Sequence, residues 1–179
     1  MSDEELDDHA HAASAGDRVA FEVLCRALQS DVWRYCRALA GDDELAAEAA
    51  QDTFLRLVGA IRRWRGEAPV RVFTLVIARR AVARAIAQQR RHRDRAAHGA
   101  DPDRPVAGPA GAVELEQLVD ALPDDLRRAF VLTQVLGLPY ETAADVEDCP
   151  IGTIRSRVFR ARERLAAAMR NEEETDARP

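Results

Sequence analysis

Apolar residues recur every three or four positions along most of this 179-residue chain, and this spacing limits the fold more than any other feature. Between Asp17 and Leu39 they fall on one stripe, which is typical of an amphipathic helix. A second stripe runs to about Trp64, and a third runs from about Arg71 to Arg91. No stretch alternates apolar and polar residues as a half-buried strand does. The spacing therefore predicts an all-α protein.

Residues 94–112 interrupt this pattern. They combine glycine, proline, alanine and charged residues without any periodicity, which predicts a flexible linker. From Val113 the helical spacing returns in four shorter pieces, one of which begins at Pro123. We therefore predict two small helical domains, residues 1–93 and residues 113–179.

The distribution of charge is more informative than its sum. The formal net charge of −5 by itself argues against a nucleic-acid-binding protein. Residues 61–95, however, hold eleven arginines against two acidic residues, and residues 150–170 hold six against one. Two basic segments in an otherwise acidic chain suggest two separate contacts with anions.

Other motifs mainly exclude classes of function. The three cysteines, Cys25, Cys36 and Cys149, lie far apart, which favours a reduced chain. Cys25 and Cys36 fall within one helical pattern, where we interpret them as small apolar residues. The histidines lack metal-ligand spacing, so we expect no metal and no cofactor. No apolar run is long enough to span a membrane and no signal peptide opens the chain, which favours a cytoplasmic location. His9, His11 and the terminal acids are interpreted mainly as solvated tails.

A helix-turn-helix is predicted near the C-terminus. A short helix runs from Pro139 to Glu147, a tight turn follows, and a second helix begins at Ile151. We call this second helix the recognition helix. Its buried face and its outward face separate cleanly at 100° per residue. The buried face contains Ile154, Val158, Ala161 and Leu165, and the outward face contains Ser156, Phe159, Arg160 and Glu163.

The outward face of the recognition helix suits DNA. A phenylalanine exposed between arginines is costly unless something covers it, and a major groove would do so. In the first turn, at Gly152 and Thr153, free amides would favour a phosphate. The alternative is an ordinary amphipathic helix with a solvated charged face.

The segment from Leu122 to Leu165 resembles region 4 of the extracytoplasmic-function (ECF) sigma factors. The matching positions are Leu122, Pro123, Arg127, Gly137, Tyr140, Pro150, Gly152, Thr153, Ser156, Arg157, Arg160 and Arg162. The resemblance implies that the recognition helix reads the −35 element of promoters through Gly152, Thr153, Arg155, Ser156, Phe159 and Arg160. Two residues depart from the family pattern. Asp148 replaces a turn glycine and tolerates the left-handed conformation, whereas Glu147, at an apolar position, loosens the turn or alters its packing.

Residues 46–80 resemble region 2 of the same family, through Ala46, Glu48, Gln51, Asp52, Phe54, Arg65, Gly66, Ile77 and Ala78. Four residues share the side of this helix opposite its apolar stripe, and we call them the acidic face: Glu48, Gln51, Asp52 and Leu55. A polar patch with one exposed leucine suits a protein interface better than bare solvent, although a solvated face is the alternative. The resemblance implies docking on the β′ clamp helices of core RNA polymerase. It also implies a contact with the β flap and allows an anti-sigma factor as a partner.

The basic helix after this region suits single-stranded DNA. Gly66 and Pro69 both break helices, so Arg65–Pro69 is predicted to be a loop. Arginines on the following helix would hold phosphates while this loop receives an extruded base. In the family the corresponding loop captures a flipped base of the −10 element. The resemblance therefore implies contacts with the −10 element for Arg56, Trp64, Arg65, Gly66, Arg71, Arg80 and Arg84. Three residues depart from the family pattern: Phe73 for tryptophan, Thr74 for leucine and Arg80 for asparagine.

These features predict a non-enzymatic ECF sigma factor that binds core RNA polymerase and directs promoter recognition and transcription initiation. The alternative is a conventional helix-turn-helix regulator that binds duplex DNA without polymerase, which does not explain the acidic face. In the free protein we expect the two domains to close on each other. The acidic face would then contact the recognition helix and hide DNA-binding surfaces, whereas the alternative is two independent domains.

Overall fold

The computed structural model describes residues 1–96 and 117–176, with side chains for residues 1–92 and 117–170. The regular secondary structure of the described residues is helical, with no strand, which confirms the all-α prediction. Residues 117–120 form one short helical stretch. The other elements are α1 (Asp3–Ser14), α2 (Arg18–Ala40), α3 (Asp43–Ala60), a 3-10 turn (Ile61–Arg63), α4 (Val70–Ala96), α5 (Asp124–Phe130), a π-helical turn (Val131–Val135), α6 (Tyr140–Glu147) and α7 (Ile151–Asp176).

Side-chain caps and one glycine fix the ends of α2 and α3. The Asp17 carboxylate accepts a hydrogen bond from the Val19 amide at 2.8 Å, and so begins α2. Gly41 ends α2 in the left-handed conformation, with φ of 68°. Asp42 then caps α3 by accepting from the Leu45 amide at 2.8 Å. The predicted break between these two helices is therefore confirmed, with Asp42 as the cap.

The N-terminal acids and histidines are mainly solvated, as interpreted, but the interpretation of this segment as a tail was wrong. They belong to α1, which begins with a capping box between Ser2 and Glu5. Leu6, Ala10 and Ala13 are buried where α1 packs against α2 and α4. These three residues have helical spacing, but two of them are alanines, so the apolar stripe is weak in the sequence.

Helices α1 to α4, here called the N-terminal half, share one core with most of the C-terminal half, α5 to α7. Large side chains of the N-terminal half are fully buried, among them Leu24, Leu57 and Leu75. The same cluster continues into the C-terminal half through Leu132 and Val146. Burial of apolar surface therefore holds the two halves together.

A second, smaller cluster holds α5 against α7 within the C-terminal half. It consists of Leu122, Leu126, Ala161 and Leu165, with Phe130 packed beside it. Because the buried residues of α7 recur at helical spacing, α7 presents one face to α5 and α6 and the other to solvent.

Polar contacts also join the halves, and they correct the surfaces that we expected to meet. The Arg127 guanidinium of α5 is buried and donates from Nε to the carbonyl oxygen of Ala38 in α2 at 2.8 Å. Arg37 of α2 forms an ion pair with Asp120 at 2.7 Å. The expected closure occurs, but α2 and α4 meet α5, α6 and the π-helical turn. The acidic face and the recognition helix were the wrong pair of surfaces.

The free thiols occupy the positions that their apolar neighbours suggested. Cys36 is buried in the core, and its burial raises the pKa of the thiol to about 12. Cys25 and Cys149 are half-buried.

The predicted linker lies mostly outside the described residues. Residues 94–96 continue α4, and residues 97–112 are not described. At the other end, α7 continues to Asp176, so the acidic residues Glu172, Glu173, Glu174 and Asp176 are helical rather than an extended tail. Among the described residues, no helix is both long enough and apolar enough to cross a membrane.

Candidate nucleic-acid and protein interfaces

Helices α6 and α7 form the predicted helix-turn-helix. Asp148 ends α6 with φ of 55° and ψ of 53°, the left-handed conformation that its family position suggested. The Cys149 amide then donates to the carbonyl oxygen of Ala144 at 3.1 Å, which tightens the turn before α7 begins at Ile151. The predicted buried face of α7 is confirmed, since Ile154, Val158, Ala161 and Leu165 are all buried.

The outward face of α7 presents an aromatic ring among guanidinium groups. Phe159 is 62% exposed, and Arg155 and Arg160 beside it are exposed as well. Arg160 Nη2 lies 3.4 Å from Ser156 Oγ, and this hydroxyl donates to the carbonyl oxygen of Thr153 at 3.0 Å. The face therefore offers one apolar contact and several cationic donors to a single surface, as major-groove readout needs.

The first turn of α7 differs from the expectation. The Thr153 amide donates to the carbonyl oxygen of Pro150 at 2.8 Å, so it is not free for a phosphate. The expectation of a free amide is therefore wrong for Thr153, whose contact with the −35 element stays a prediction. Gly152 is exposed in the same turn, where the positive end of the helix dipole still favours an anion.

Glu147 does not loosen the turn, because it is held in a buried polar cluster that links both halves. Its side chain is 4% exposed and accepts from the Tyr35 hydroxyl at 2.6 Å and from Arg128 Nε at 3.0 Å. Arg79 of α4 donates to its backbone carbonyl oxygen at 2.9 Å. Burial, together with the Glu147 carboxylate, raises the pKa of Tyr35 well above its usual range, so the phenol stays protonated and donates.

The acidic face lies on α3, as the helical spacing suggested. Leu55 is 66% exposed between polar side chains, with Glu48 and Gln51 exposed on the preceding turns. Val58, which the sequence analysis missed, extends the apolar part and is 56% exposed. Its position three residues after Leu55 is the signal that would have identified it.

Asp52 joins the acidic face to the arginines predicted to bind the −10 strand. Its carboxylate accepts from Arg56 Nε at 2.6 Å, and Arg84 Nη1 lies 3.7 Å away. Arg56 and Arg84 are therefore brought together on one side of α3 and α4, partly exposed to solvent. Arg80, one turn earlier on α4, is exposed.

Two of the predicted strand contacts are held inside the protein. Trp64 is buried, and its indole N–H donates to the carbonyl oxygen of Ala68 at 3.0 Å, so it shapes the Arg65–Pro69 loop from within. Arg71 is paired with Asp31 at 2.7 Å and donates to the carbonyl oxygen of Leu136 at 2.7 Å. Neither side chain is presented to a DNA strand. Arg65 and Gly66 are exposed in the loop, where Gly66 has φ of 74°.

Comparisons with known proteins decide the family. The model of the family described as Sigma-70 region 2 matches residues 24–92, and that of Sigma-70, region 4 matches residues 112–165. The chain is 42% identical over 171 residues to the ECF RNA polymerase sigma factor SigC of Mycobacterium tuberculosis, covering 92% of this chain and 91% of the relative. It is 30% identical over 170 residues to the RNA polymerase sigma-H factor of Pseudomonas aeruginosa, covering 86% and 88%.

The chain belongs to the ECF sigma factors. It binds core RNA polymerase and directs promoter recognition and transcription initiation. Sigma factors are initiation factors and not enzymes. The alternative of a regulator that acts without polymerase does not account for the match to region 2.

Solved structures share the fold of this sigma factor. The sigma factor RpoE of Bartonella quintana, solved with the anti-sigma factor NepR, superimposes with a TM-score of 0.70 at 23% identity, covering 84% of this chain and 96% of that chain. CnrH, solved with the cytosolic domain of CnrY, superimposes with a TM-score of 0.66 at 20% identity, covering 91% and 96%.

Proposed function

We propose a division of the work of this sigma factor along the chain. Residues 1–93 bind core polymerase and the −10 element, residues 94–112 connect the two domains, and residues 113–179 bind the −35 element. The matches to region 2 at residues 24–92 and to region 4 at residues 112–165 support the division. Cytoplasmic location follows from the same role, because the factor acts where core polymerase meets DNA.

The acidic face is the proposed contact with the β′ clamp helices of core polymerase. The observation that carries this proposal is the exposure of Leu55 and Val58 among Glu48, Gln51 and Asp52. Exposed apolar side chains framed by polar ones are typical of the centre and rim of a protein interface. The C-terminal half is the proposed partner of the β flap.

The −10 element is the proposed ligand of the Arg65–Pro69 loop and the exposed arginines beside it. Arg65 and Gly66 would receive an extruded base, while Arg56, Arg80 and Arg84 neutralise phosphates. Because Asp52 pairs with Arg56 and Arg84, the acidic face and the strand-binding surface are contiguous. Trp64 supports the loop from within, and Arg71, held by Asp31 and the Leu136 carbonyl oxygen, is not a proposed contact with the −10 element.

The −35 element is the proposed ligand of the outward face of α7. Arg155 and Arg160 would donate to guanine edges, and Phe159 would contact a thymine methyl group. Ser156 and the first turn at Gly152 would fix the helix against the backbone. We also propose an anti-sigma factor as a partner, because two structural relatives, RpoE of Bartonella quintana and CnrH, were solved with partners of their own.

The experiment that tests the polymerase contact introduces an arginine at two apolar positions of similar exposure, one inside the acidic face and one outside it. Leu55→Arg should abolish co-elution of the factor with purified core polymerase, because it places a cation at the centre of the proposed interface. Val19→Arg is the matched control, since Val19 is 70% exposed on α2 and outside the acidic face. Gln51→Arg should have the same effect as Leu55→Arg. Co-elution of both acidic-face variants at the control level would refute the proposed contact.

A further inference from the structure

Helix α1 contacts the far end of the Arg65–Pro69 loop through Asp7. Its Oδ1 accepts a hydrogen bond from the Val70 amide at 2.7 Å. Val70 is the first residue of α4, and the first amides of a helix have no acceptor within the helix. The Asp7 carboxylate therefore caps α4 from another helix and fixes the point where the loop ends.

Helix α1 contacts the near end of the same loop through His11. The imidazole ring lies 4.7 Å from the Trp64 indole, centroid to centroid, with the planes tilted by 54°. A Cβ atom built on Gly66 would lie 3.5 Å from His11 Cε1, so the imidazole lies beside the loop at Gly66. The Trp64 indole N–H in turn donates to the carbonyl oxygen of Ala68. His11, Trp64 and the loop thus form one packed unit.

Helix α1 is itself firmly placed. Leu6 and Ala10 are buried against the helices of the N-terminal half, and the capping box at Ser2 fixes its start. The loop is consequently held at both ends by a helix that contributes no side chain to the family motifs. A loop fixed before binding does not lose conformational freedom when a ligand enters it, and this raises affinity.

We propose that Asp7 and His11 are positioning residues for strand capture. Helix α1 holds the Arg65–Pro69 loop in the shape that receives an extruded base of single-stranded DNA. This inference rests on the proposed function of the loop. It assigns a specific role to residues that the sequence suggested only as a solvated tail.

The test measures binding of holoenzyme to two DNA probes. One is the single-stranded oligonucleotide that unaltered holoenzyme selects from a randomised pool, and the other is the duplex that the factor selects in the same way. Asp7→Ala should weaken strand binding by about fivefold, the size expected from loss of one helix cap, and His11→Ala should weaken it as well because it removes the ring packed against Trp64. Duplex binding and core binding should be unchanged. Asp8→Ala and His9→Ala are the matched controls on the same helix and should behave like the unaltered factor.

Two further variants separate positioning from general destabilisation. His11→Phe keeps a ring against Trp64 and should restore strand binding relative to His11→Ala. A loss shared equally by strand, duplex and core binding would show simple unfolding and overturn the inference, as would variants indistinguishable from their controls. Arg65→Ala tests the loop itself. If it leaves strand binding unchanged, the proposed function of the loop fails too; if it weakens strand binding while Asp7→Ala and His11→Ala do not, only the positioning inference fails.

Discussion

The hydrogen bond between Tyr35 and Glu147 supports a quantitative prediction about the closed arrangement of the two halves. Tyr35 lies in α2 and is fully buried, and Glu147 lies at the end of α6 with a nearly buried carboxylate. The hydroxyl donates to Oε1 at 2.6 Å, so one short bond to a charged acceptor crosses between the halves. Tyr35→Phe removes only the hydroxyl and leaves the ring in the core.

The magnitude follows from this geometry. A hydrogen bond to a charged group contributes about 1.5–3 kcal/mol, and removing one partner leaves the other buried without it. Because about 1.4 kcal/mol corresponds to a tenfold change, Tyr35→Phe should lower the ratio of closed to open molecules by about 10-fold to 150-fold. Glu147→Gln keeps an acceptor for the hydroxyl but weakens the ion pair with Arg128, so its effect should lie in the same range.

The assay is small-angle scattering of the full-length factor in increasing urea. Taking a urea dependence of about 2 kcal/mol per molar, Tyr35→Phe should expand at a concentration about 1 M lower than the unaltered factor. Tyr140→Phe is the matched control, because it removes a phenolic hydroxyl from a half-buried position of α6 and leaves the ring in place. A double-mutant cycle of Tyr35→Phe with Glu147→Gln isolates the part of the pair's energy that depends on the charge of the acceptor, because the amide introduced by Glu147→Gln still accepts a hydrogen bond from the hydroxyl.

Two results would refute this reasoning. The first is a cycle with no coupling between Tyr35 and Glu147. The second is expansion of Tyr35→Phe at the same urea concentration as Tyr140→Phe. We also expect closure to depend only weakly on salt, because the buried contact between Tyr35 and Glu147 is screened far less than the partly exposed ion pair between Arg37 and Asp120.

Three further outcomes follow from the described residues. Arg160→Ala should cost about 1–3 kcal/mol of binding free energy on the preferred −35 duplex and relax base preference, whereas Arg164→Ala should weaken binding to all duplexes alike. Equal losses of binding by Arg160→Ala on specific and random duplexes would show that Arg160 contacts only phosphate. Asp148→Gly should raise the free energy of thermal unfolding by about 1 kcal/mol, because Asp148 adopts the left-handed conformation with φ of 55°. Little is lost with its side chain, since its ion pair with Arg79 is long, at 3.7 Å, and the Asp148 carboxylate is exposed. A lower melting temperature would contradict this prediction. Cys36 should resist alkylation at pH 8 in the folded protein, because its pKa is raised to about 12, and rapid modification would show that the core opens there.

Helical periodicity predicted the elements well because it records which face of each helix is buried. The buried face of α7 and the outward position of Phe159 both follow from a rotation of 100° per residue. The same reasoning placed Leu55 outside the core. It missed α1 because alanine contributes little to an apolar stripe, although Ala10 and Ala13 are buried. Small residues pack helices closely without leaving a strong pattern in the sequence.

Tertiary partners could not be read from the sequence, since periodicity gives a face but not what covers it. Arg71 has the charge and spacing of a strand contact, yet Asp31 and the Leu136 carbonyl oxygen occupy its guanidinium. Glu147 at an apolar family position indicated an anomaly, and the positions of Tyr35 and Arg128 in the structure explain it. A residue separated from its partner by more than a hundred positions carries no local signal of that contact.

The closed arrangement has a consequence for promoter recognition. A compact chain of this length has a radius of gyration of about 16 Å, hence a diameter of about 40 Å. The −35 and −10 elements lie about 25 base pairs apart, which is about 85 Å of B-form DNA at about 3.4 Å per base pair. One closed molecule cannot contact both elements on straight DNA. The outward faces of α7 and of the Arg65–Pro69 loop are exposed, so closure does not hide these proposed DNA contacts; it prevents the simultaneous use that the proposed function requires. We infer that the contacts between the halves break when both elements are bound. The strength of the Tyr35–Glu147 bond therefore sets part of the free-energy cost of reading a complete promoter.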